Sequence, residues 1–298
     1  MKTIVILGPT ASGKTALSIE LALKYNAHIV SLDSLSIYKE IDIASAKPTL
    51  EERQGVHHFG IDVLLPSEHF DVTMFFELFN EAKHEALREG KHLIIVGGTG
   101  FYLKAMMEGL SSKPEIALHV KEKIEQHLLD LEASYALIHA HDEAFASKIA
   151  SNDRYRIEKW LEIFFTTGEI PSAYLLHAKQ EPLIKEVALF EIDMPREILA
   201  QRIALRTQNM LTQGLVDEVF GLEKRYSRTP HCMKAIGIKE VLEYFDGKLT
   251  FHALSERISF NTIHLAKRQR TFNASQFPPH PKGDVNDLFG AIEAHFKS

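Results

Sequence analysis

Continuously apolar runs alternate with helical periodicity along the N-terminal third of the chain. Lys2 to Leu7 is a short β-branched run bounded by Gly8-Pro9, which predicts a buried strand. Spacing through Leu17, Leu21 and Leu23 predicts a helix over Ser12 to Tyr25, and Ala27 to Leu32 is a second apolar run that ends at Asp33-Ser34. Asp71 to Glu89 has the amphipathic period of a helix, with Asp71 or Thr73 near its start and Gly90 as its stop. His92 to Val96 predicts a third strand, closed by Gly97-Gly98-Thr99-Gly100. Strands without polar alternation, separated by helices, are buried on both faces. The fold class is therefore α/β: a P-loop-type parallel β-sheet core flanked by helices.

The pattern changes after Lys113-Pro114. From there to about Lys179 only helical periodicity is present, in Glu115 to Leu131 and in Asp153 to Thr166, the latter with Ser151 or Asn152 as cap and Gly168 as stop. Strand character returns at Glu186 to Ile192, and Pro195 is placed to open a helix that runs to Gln213. The chain then stays mostly helical to about Ala274, and the tail from Asn273 to Gly283 reads as loop. The simplest organisation is a catalytic core of residues 1–113 and 180–298, interrupted by a helical insertion domain, 114–179.

Composition narrows the class. The 298 residues carry 34 Lys+Arg against 40 Asp+Glu, a net charge of −6, and 45% are hydrophobic. These are values for an ordinary soluble globular protein, with no apolar run near the roughly 20 residues that cross a bilayer. The initial apolar run is too short for a signal-peptide core, so a cytoplasmic protein without membrane association is expected. A single cysteine, Cys232, excludes an intramolecular disulfide and a Cys-rich zinc site. The 16 histidines include His57-His58 and His139/His141, which lack the spacing of a recognisable metal motif and read as surface or hydrogen-bonded residues. Nothing demands more than a monomer.

The sharpest chemical signal is Gly8-Pro9-Thr10-Ala11-Ser12-Gly13-Lys14-Thr15, a complete G-x-x-x-x-G-K-[ST] between a predicted strand and a predicted helix. Such a loop aims backbone N–H groups and a helix N-terminus at phosphate oxygens. Lys14 adds a point charge, and the Thr15 hydroxyl can ligate Mg²⁺. The motif specifies a di- or triphosphate, as ATP-binding labels for such loops reflect, but not what the phosphates are attached to. The third strand ends in glycines and a threonine instead of a carboxylate. Asp33, ending the second strand, faces the same crevice, because ligands of parallel sheets sit outside the carboxyl ends of the strands.

These segments together resemble the tRNA dimethylallyltransferases: GPTASGKT, SLDSLSIYKEIDIASAKPT, VGGTGFYLKAMMEGL and AKRQRTF occur in order over about residues 3 to 272. The resemblance implies a transferase in tRNA modification, moving a dimethylallyl group from dimethylallyl diphosphate to N6 of the adenine 3′ to the anticodon, with Mg²⁺. It places Thr10, Asp33 and Arg206 at the reacting centre, with Asp33 as general base and Arg206 on the diphosphate. It implies contacts with the tRNA anticodon stem-loop at Asp33, Ser34, Leu35, Ser36 and Thr99. Further contacts would come from Lys121, from Tyr155, Arg156, Ile157, Glu158 and Lys159, from Lys234, Gly237 and Lys239, and from Lys267 and Arg268. Thr262-Ile263-His264 stands where the family has Thr-Arg-Gln, so one expected cation is absent.

Allylic transfer requires neutralisation of the leaving diphosphate, a site closed to water and a base for the amine proton. Lys14, Arg206 and Asp33 supply the first and third. Arg202 and Arg206, four apart, share a helix face. Arg257, Lys267, Arg268 and Arg270 offer a basic face for RNA phosphates. The alternatives are an adenylate isopentenyltransferase acting on free AMP, ADP or ATP, a small-molecule P-loop kinase, and a non-enzymatic nucleotide switch.

Overall fold

The computed structural model describes residues 1–112 and 114–298, so Lys113, where the sequence boundary was drawn, lies outside the described residues. Six parallel strands form one sheet: β1 (Thr3–Leu7), β2 (Ala27–Leu32), β3 (His58–Phe59), β4 (His92–Gly97), β5 (Ala188–Ile192) and β6 (Lys282–Gly283), in the order β3-β2-β4-β1-β5-β6. The strand β4 lies between β1 and β2, pairing Ile4 with Ile94 on one side and Ile29 with Ile94 on the other. The carboxyl ends of β1 and β2 thus flank that of β4 on one rim. Helices Lys14–Tyr25 and Val285–Lys297 cover one face, packed on Ile4, Ile6, Ile29, Ile94 and Phe190. Helix Val72–Glu89 packs on β2 and β4, burying Phe75, Phe79, Ala82 and Ala86. Asp71 caps it through Thr73 N and Met74 N, and Gly90 ends it in the left-handed region (φ 65°).

Several elements depart from the sequence expectation. The tail was expected as loop, but the helix from Phe251 continues to Gln276 and Lys282–Gly283 adds β6. Tertiary pairing decides this: the β5 residue Glu191 accepts hydrogen bonds from Asn273 Nδ2 (2.8 Å) and Lys282 Nζ (2.6 Å) and lies 3.1 Å from His280 Nε2, which anchors the tail to the sheet. Helix Glu115–Leu131 is instead Leu118–His127, followed by Leu131–His141. The break falls where Asp130 caps the second helix by accepting from Ala133 N at 2.9 Å. The cap of Arg154–Thr167 is Asp153, not Ser151 or Asn152.

Residues Met106–Leu183 form a separate compact unit, and Met1–Ala105 with Ile184–Ser298 the other. The helical unit has its own core, including Val120, Ile124, Ile138, Ile157, Trp160 and Leu161. Its buried polar centre is Asp142, which accepts from Trp160 Nε1 (3.0 Å), Ser172 Oγ (2.8 Å), Ser172 N (3.1 Å) and Phe145 N (3.2 Å). A buried carboxylate is tolerated because its oxygens are satisfied.

The β2–β4 seam leaves no room at Gly97. A Cβ there would sit 2.4 Å from the Leu32 carbonyl oxygen, directly before Asp33. Gly97→Ala must displace backbone at the seam and should cost about 1–3 kcal/mol, the range for overpacked interiors. Urea unfolding checks this; a wild-type midpoint would contradict the close approach.

Candidate active site

The loop after β1 holds three unusual backbone positions: Gly8 (φ 148°), Ala11 (φ 63°) and Gly13 (φ 98°). Gly8 also needs the space, since a Cβ would lie 3.1 Å from both Ile192 O and Ser12 Oγ. Ala11 carries a side chain in the left-handed region, a local strain of the kind that binding loops retain. The helix starts at Lys14, with Gly13 at its N-cap and no side-chain cap, so its first N–H groups stay available to an anion. Ser12 Oγ is buried and has no hydrogen-bond partner among the described residues. Lys14 Nζ donates back to Pro9 O at 2.6 Å.

This loop forms one wall of a cleft of about 780 Å³, whose lining includes Asp33, Lys47, Arg202, Arg206 and Gln269. Asp33 is fixed by its own turn: Oδ1 accepts from Leu35 N (2.8 Å) and Ser36 N (3.2 Å). No hydrogen bond to Oδ2 forms among the described residues. Arg206 donates from Nη1 to Thr10 Oγ1 (3.3 Å) and from Nη2 to Ser45 O (3.4 Å). One turn earlier on the same helix, Arg202 Nη1 reaches Ser12 O at 3.4 Å. The structure therefore brings together Thr10, Lys14, Asp33 and Arg206 from three distant segments.

The electrostatics follow from this crowding. Withdrawal from water and the neighbouring Arg206 lower the Lys14 pKa to about 8, with Asp33 acting in the opposite direction. Desolvation also lowers Arg206, again opposed by Asp33. Two cations share one carboxylate in a desolvated cleft, so the site favours an added anion.

Several lining residues, Gln269 among them, were not singled out from the sequence. Gln269 Oε1 accepts from Thr10 N at 3.0 Å, tying the phosphate loop to helix Phe251–Gln276. Its amide also explains Gly98, where a Cβ would lie 2.2 Å from Gln269 Nε2. The only sequence signal was its place inside AKRQ, between cations that drew attention first.

The family described as IPP transferase matches residues 36–276. A curated tRNA dimethylallyltransferase of Sulfurovum sp. (strain NBC37-1) is 50% identical over 289 residues, 97% of this chain and 96% of the relative. The chain belongs to the IPP transferase family. A second relative, the tRNA dimethylallyltransferase of Aliarcobacter butzleri, is 50% identical over 99% of both chains. Among solved structures of this family, the full-length tRNA isopentenylpyrophosphate transferase of Bacillus halodurans has a TM-score of 0.72 at 29% identity, covering 99% of this chain and 97% of its own. A eukaryotic dimethylallyltransferase acting on tRNA has a TM-score of 0.81 at 29% identity, over 92% of this chain and 70% of its own.

The outer residues expected from the family resemblance fare unevenly. Ser34 is exposed, Leu35 packs on a core cluster with Ile37 and Tyr38, and Ser36 is buried in the cleft lining. Thr99 is half-buried, with its N–H on Leu32 O at 3.3 Å, beside Asp33. Lys234, Lys239, Lys267 and Arg268 are exposed, and Gly237 is buried as the N-cap of helix Ile238–Phe245. Arg270 is ion-paired with Asp193, and Lys239 lies 3.8 Å from Glu243. In the helical unit Lys121 and Tyr155 are exposed, Arg156 pairs with Asp153, Glu158 is half-buried, and Lys159 pairs with Glu162. Ile157 is wholly buried in that unit's core, a correction to its expected RNA contact: helical periodicity turns it inward beside Trp160 and Leu161.

The lowered Lys14 pKa has a measurable consequence. Between about 8 and the model-compound value of 10.5 the unfolded chain binds the extra proton, so this lysine's cost to stability is full below about 8 and is relieved as pH rises towards 10.5. An anion reverses the effect by restoring the proton. Inorganic diphosphate should therefore bind with proton uptake above about pH 8, its affinity falling up to about tenfold per pH unit. Calorimetry in two buffers of different ionisation enthalpy reads this; a pH-independent affinity would overturn the assignment.

Proposed function

We propose that this chain is a tRNA dimethylallyltransferase that moves the dimethylallyl group of dimethylallyl diphosphate to N6 of the adenosine 3′ to the anticodon. The observation that carries the reading is the single cleft in which Lys14 and Arg206 oppose Asp33. The names and lengths of the family relatives support it. Lys14, Arg206 and the open N–H groups of the loop neutralise the diphosphate as the allylic C–O bond breaks and the oxygen leaves with the electron pair. The adenine N6 forms the new C–N bond and gives its proton to the free Oδ2 of Asp33. Gln269 and Arg206 hold Thr10 at the loop's inner edge through its N–H and its hydroxyl.

A divalent cation fits the oxygen donors of the cleft. The Thr15 hydroxyl is a hard oxygen ligand of the kind Mg²⁺ prefers, and the orphaned Ser12 Oγ marks a loop built to face a polar group. When bound, Mg²⁺ supplies charge neutralisation on the leaving diphosphate.

The acceptor base must leave its stack to reach the cleft. Lys267 and Arg268 immediately precede Gln269, are exposed and have no ion pair among the described residues, which suits them to phosphate contacts. Lys121, Tyr155, Lys234 and Lys239 are exposed residues suited to the same role. The cytoplasm, where tRNA resides, is the expected compartment.

The test is a transfer assay with labelled dimethylallyl diphosphate and Mg²⁺, offered unmodified tRNA, AMP or ATP. Label is expected in the tRNA adenine; label only in AMP or ATP would replace this acceptor. Asp33→Ala should still bind both substrates while transfer falls about 10²–10⁴-fold, the usual contribution of a positioned base; a near-normal rate would remove Asp33 from that role. Lys267→Ala with Arg268→Ala should lower the slope of log affinity for tRNA against log salt by about 1 per residue. An unchanged slope would take this helix off the RNA face.

A further inference from the structure

Away from the cleft, two histidines and a glutamate distant in sequence converge at the opposite end of β2. His28 lies near the amino end of β2, His57 precedes β3, and Glu85 is on helix Val72–Glu89. One donor atom from each lies within 4.8 Å of the others. Glu85 Oε1 is the focus, 3.1 Å from His57 Nδ1 and 4.0 Å from His28 Nε2. From these positions we infer that His28 Nε2, His57 Nδ1 and Glu85 Oε1 form a binding site for a transition-metal dication of the zinc class, with water completing the coordination.

The donor set decides the class. Two imidazoles and one carboxylate suit Zn²⁺ and not Mg²⁺, which takes oxygen ligands. Bonds of about 2.0–2.1 Å in a tetrahedral site put neighbouring donor atoms roughly 3.3 Å apart. The two Glu85 distances, 3.1 and 4.0 Å, bracket that spacing, and the imidazole nitrogens lie within 4.8 Å of each other, so side-chain rotations close the site. The rings are already held. His57 stacks on Phe59 with centroids 4.2 Å apart, and His28 meets both rings edge-on at 5.2 and 5.6 Å.

The surroundings leave the donors free for a metal. His28 is buried, which shields its Nε2 from bulk solvent. Arg88 Nη2 lies 4.0 Å from the other Glu85 oxygen, Oε2, and leaves Oε1 to the histidines. His28 Nε2 also lies 3.1 Å from Glu89 Oε2, but Glu89 keeps Lys91 as a partner at 2.9 Å when that contact is given up. His57 is half-exposed, which admits water to the open position.

The site's role is structural. The edge strand β3 pairs with β2 over two residues only, Ile29 with His58 and Val30 with Phe59. A metal would staple this strand to β2 and to helix Val72–Glu89. His28 precedes Asp33 by five residues, about 16 Å along a strand, so the metal takes no part at the reacting centre.

The experiment is metal binding to the full-length protein, read by thermal unfolding and by the visible spectrum of Co²⁺. One equivalent of Zn²⁺ should raise the melting temperature of the wild type by several degrees, and Co²⁺ should give the intense bands of a tetrahedral site. His57→Ala and Glu85→Gln should lose both responses, while tRNA transfer with Mg²⁺ stays at the wild-type rate. Asp33→Ala should keep both responses, which separates this site from the cleft. Stabilisation that persists in His57→Ala and Glu85→Gln, an octahedral Co²⁺ spectrum or no zinc binding would each overturn the assignment.

Discussion

The cleft is organised around an unbalanced charge. Lys14 and Arg206 are drawn out of water in the neighbourhood of Asp33, and the desolvation depresses both cations. Such an arrangement weakens the fold when no anion is present, because like charges are held together at reduced dielectric. An added anion restores the balance, so the same groups that make the free cleft costly favour anion binding.

A rigid frame is needed to keep these groups in place. The β2–β4 seam fixes Asp33, with Gly97 allowing the backbone contact that a larger residue would break. Glu218 accepts from the backbone N–H groups of Asp42, Ile43 and Ala44 at 2.7–2.9 Å and holds the segment that leads to Ser45 and Lys47 in the cleft wall. Gln269 and Asn273 attach helix Phe251–Gln276 to the phosphate loop and to β5 respectively. The helix that carries the exposed Lys267 and Arg268 is thereby coupled to the loop Gly8–Thr15. The two rims of the sheet carry different groups: Lys14, Asp33 and Arg206 at the carboxyl ends, and a histidine-glutamate cluster at the amino end of β2.

Much of this was legible in the sequence, for local reasons. The strand–loop–helix around Gly8 to Thr15, the apolar runs of β1, β2 and β4, and the caps at Asp71, Gly90 and Gly168 are specified by residues close in the chain. The placement of Asp33 beside the loop followed from the rule that parallel strands present their carboxyl ends to one crevice. The family motifs located Thr10 and Arg206 by resemblance, and the structure joins these two by a hydrogen bond.

What the sequence could not give are features held by partners far away in the chain. The last turns of helix Phe251–Gln276 and the strand β6 depend on Glu191, which only the folded sheet brings to them. Ile157 sat in a stretch read as surface, and packing against Trp160 took it inside. Arg270 looked like its neighbours until Asp193 paired with it. The histidines lacked a metal spacing in sequence because His28, His57 and Glu85 come from three elements. Periodicity, turn chemistry and the phosphate loop act over a few residues and are written in order. Charge pairing, burial of one residue among many, and a depressed pKa depend on distances in space, which only the tertiary structure sets.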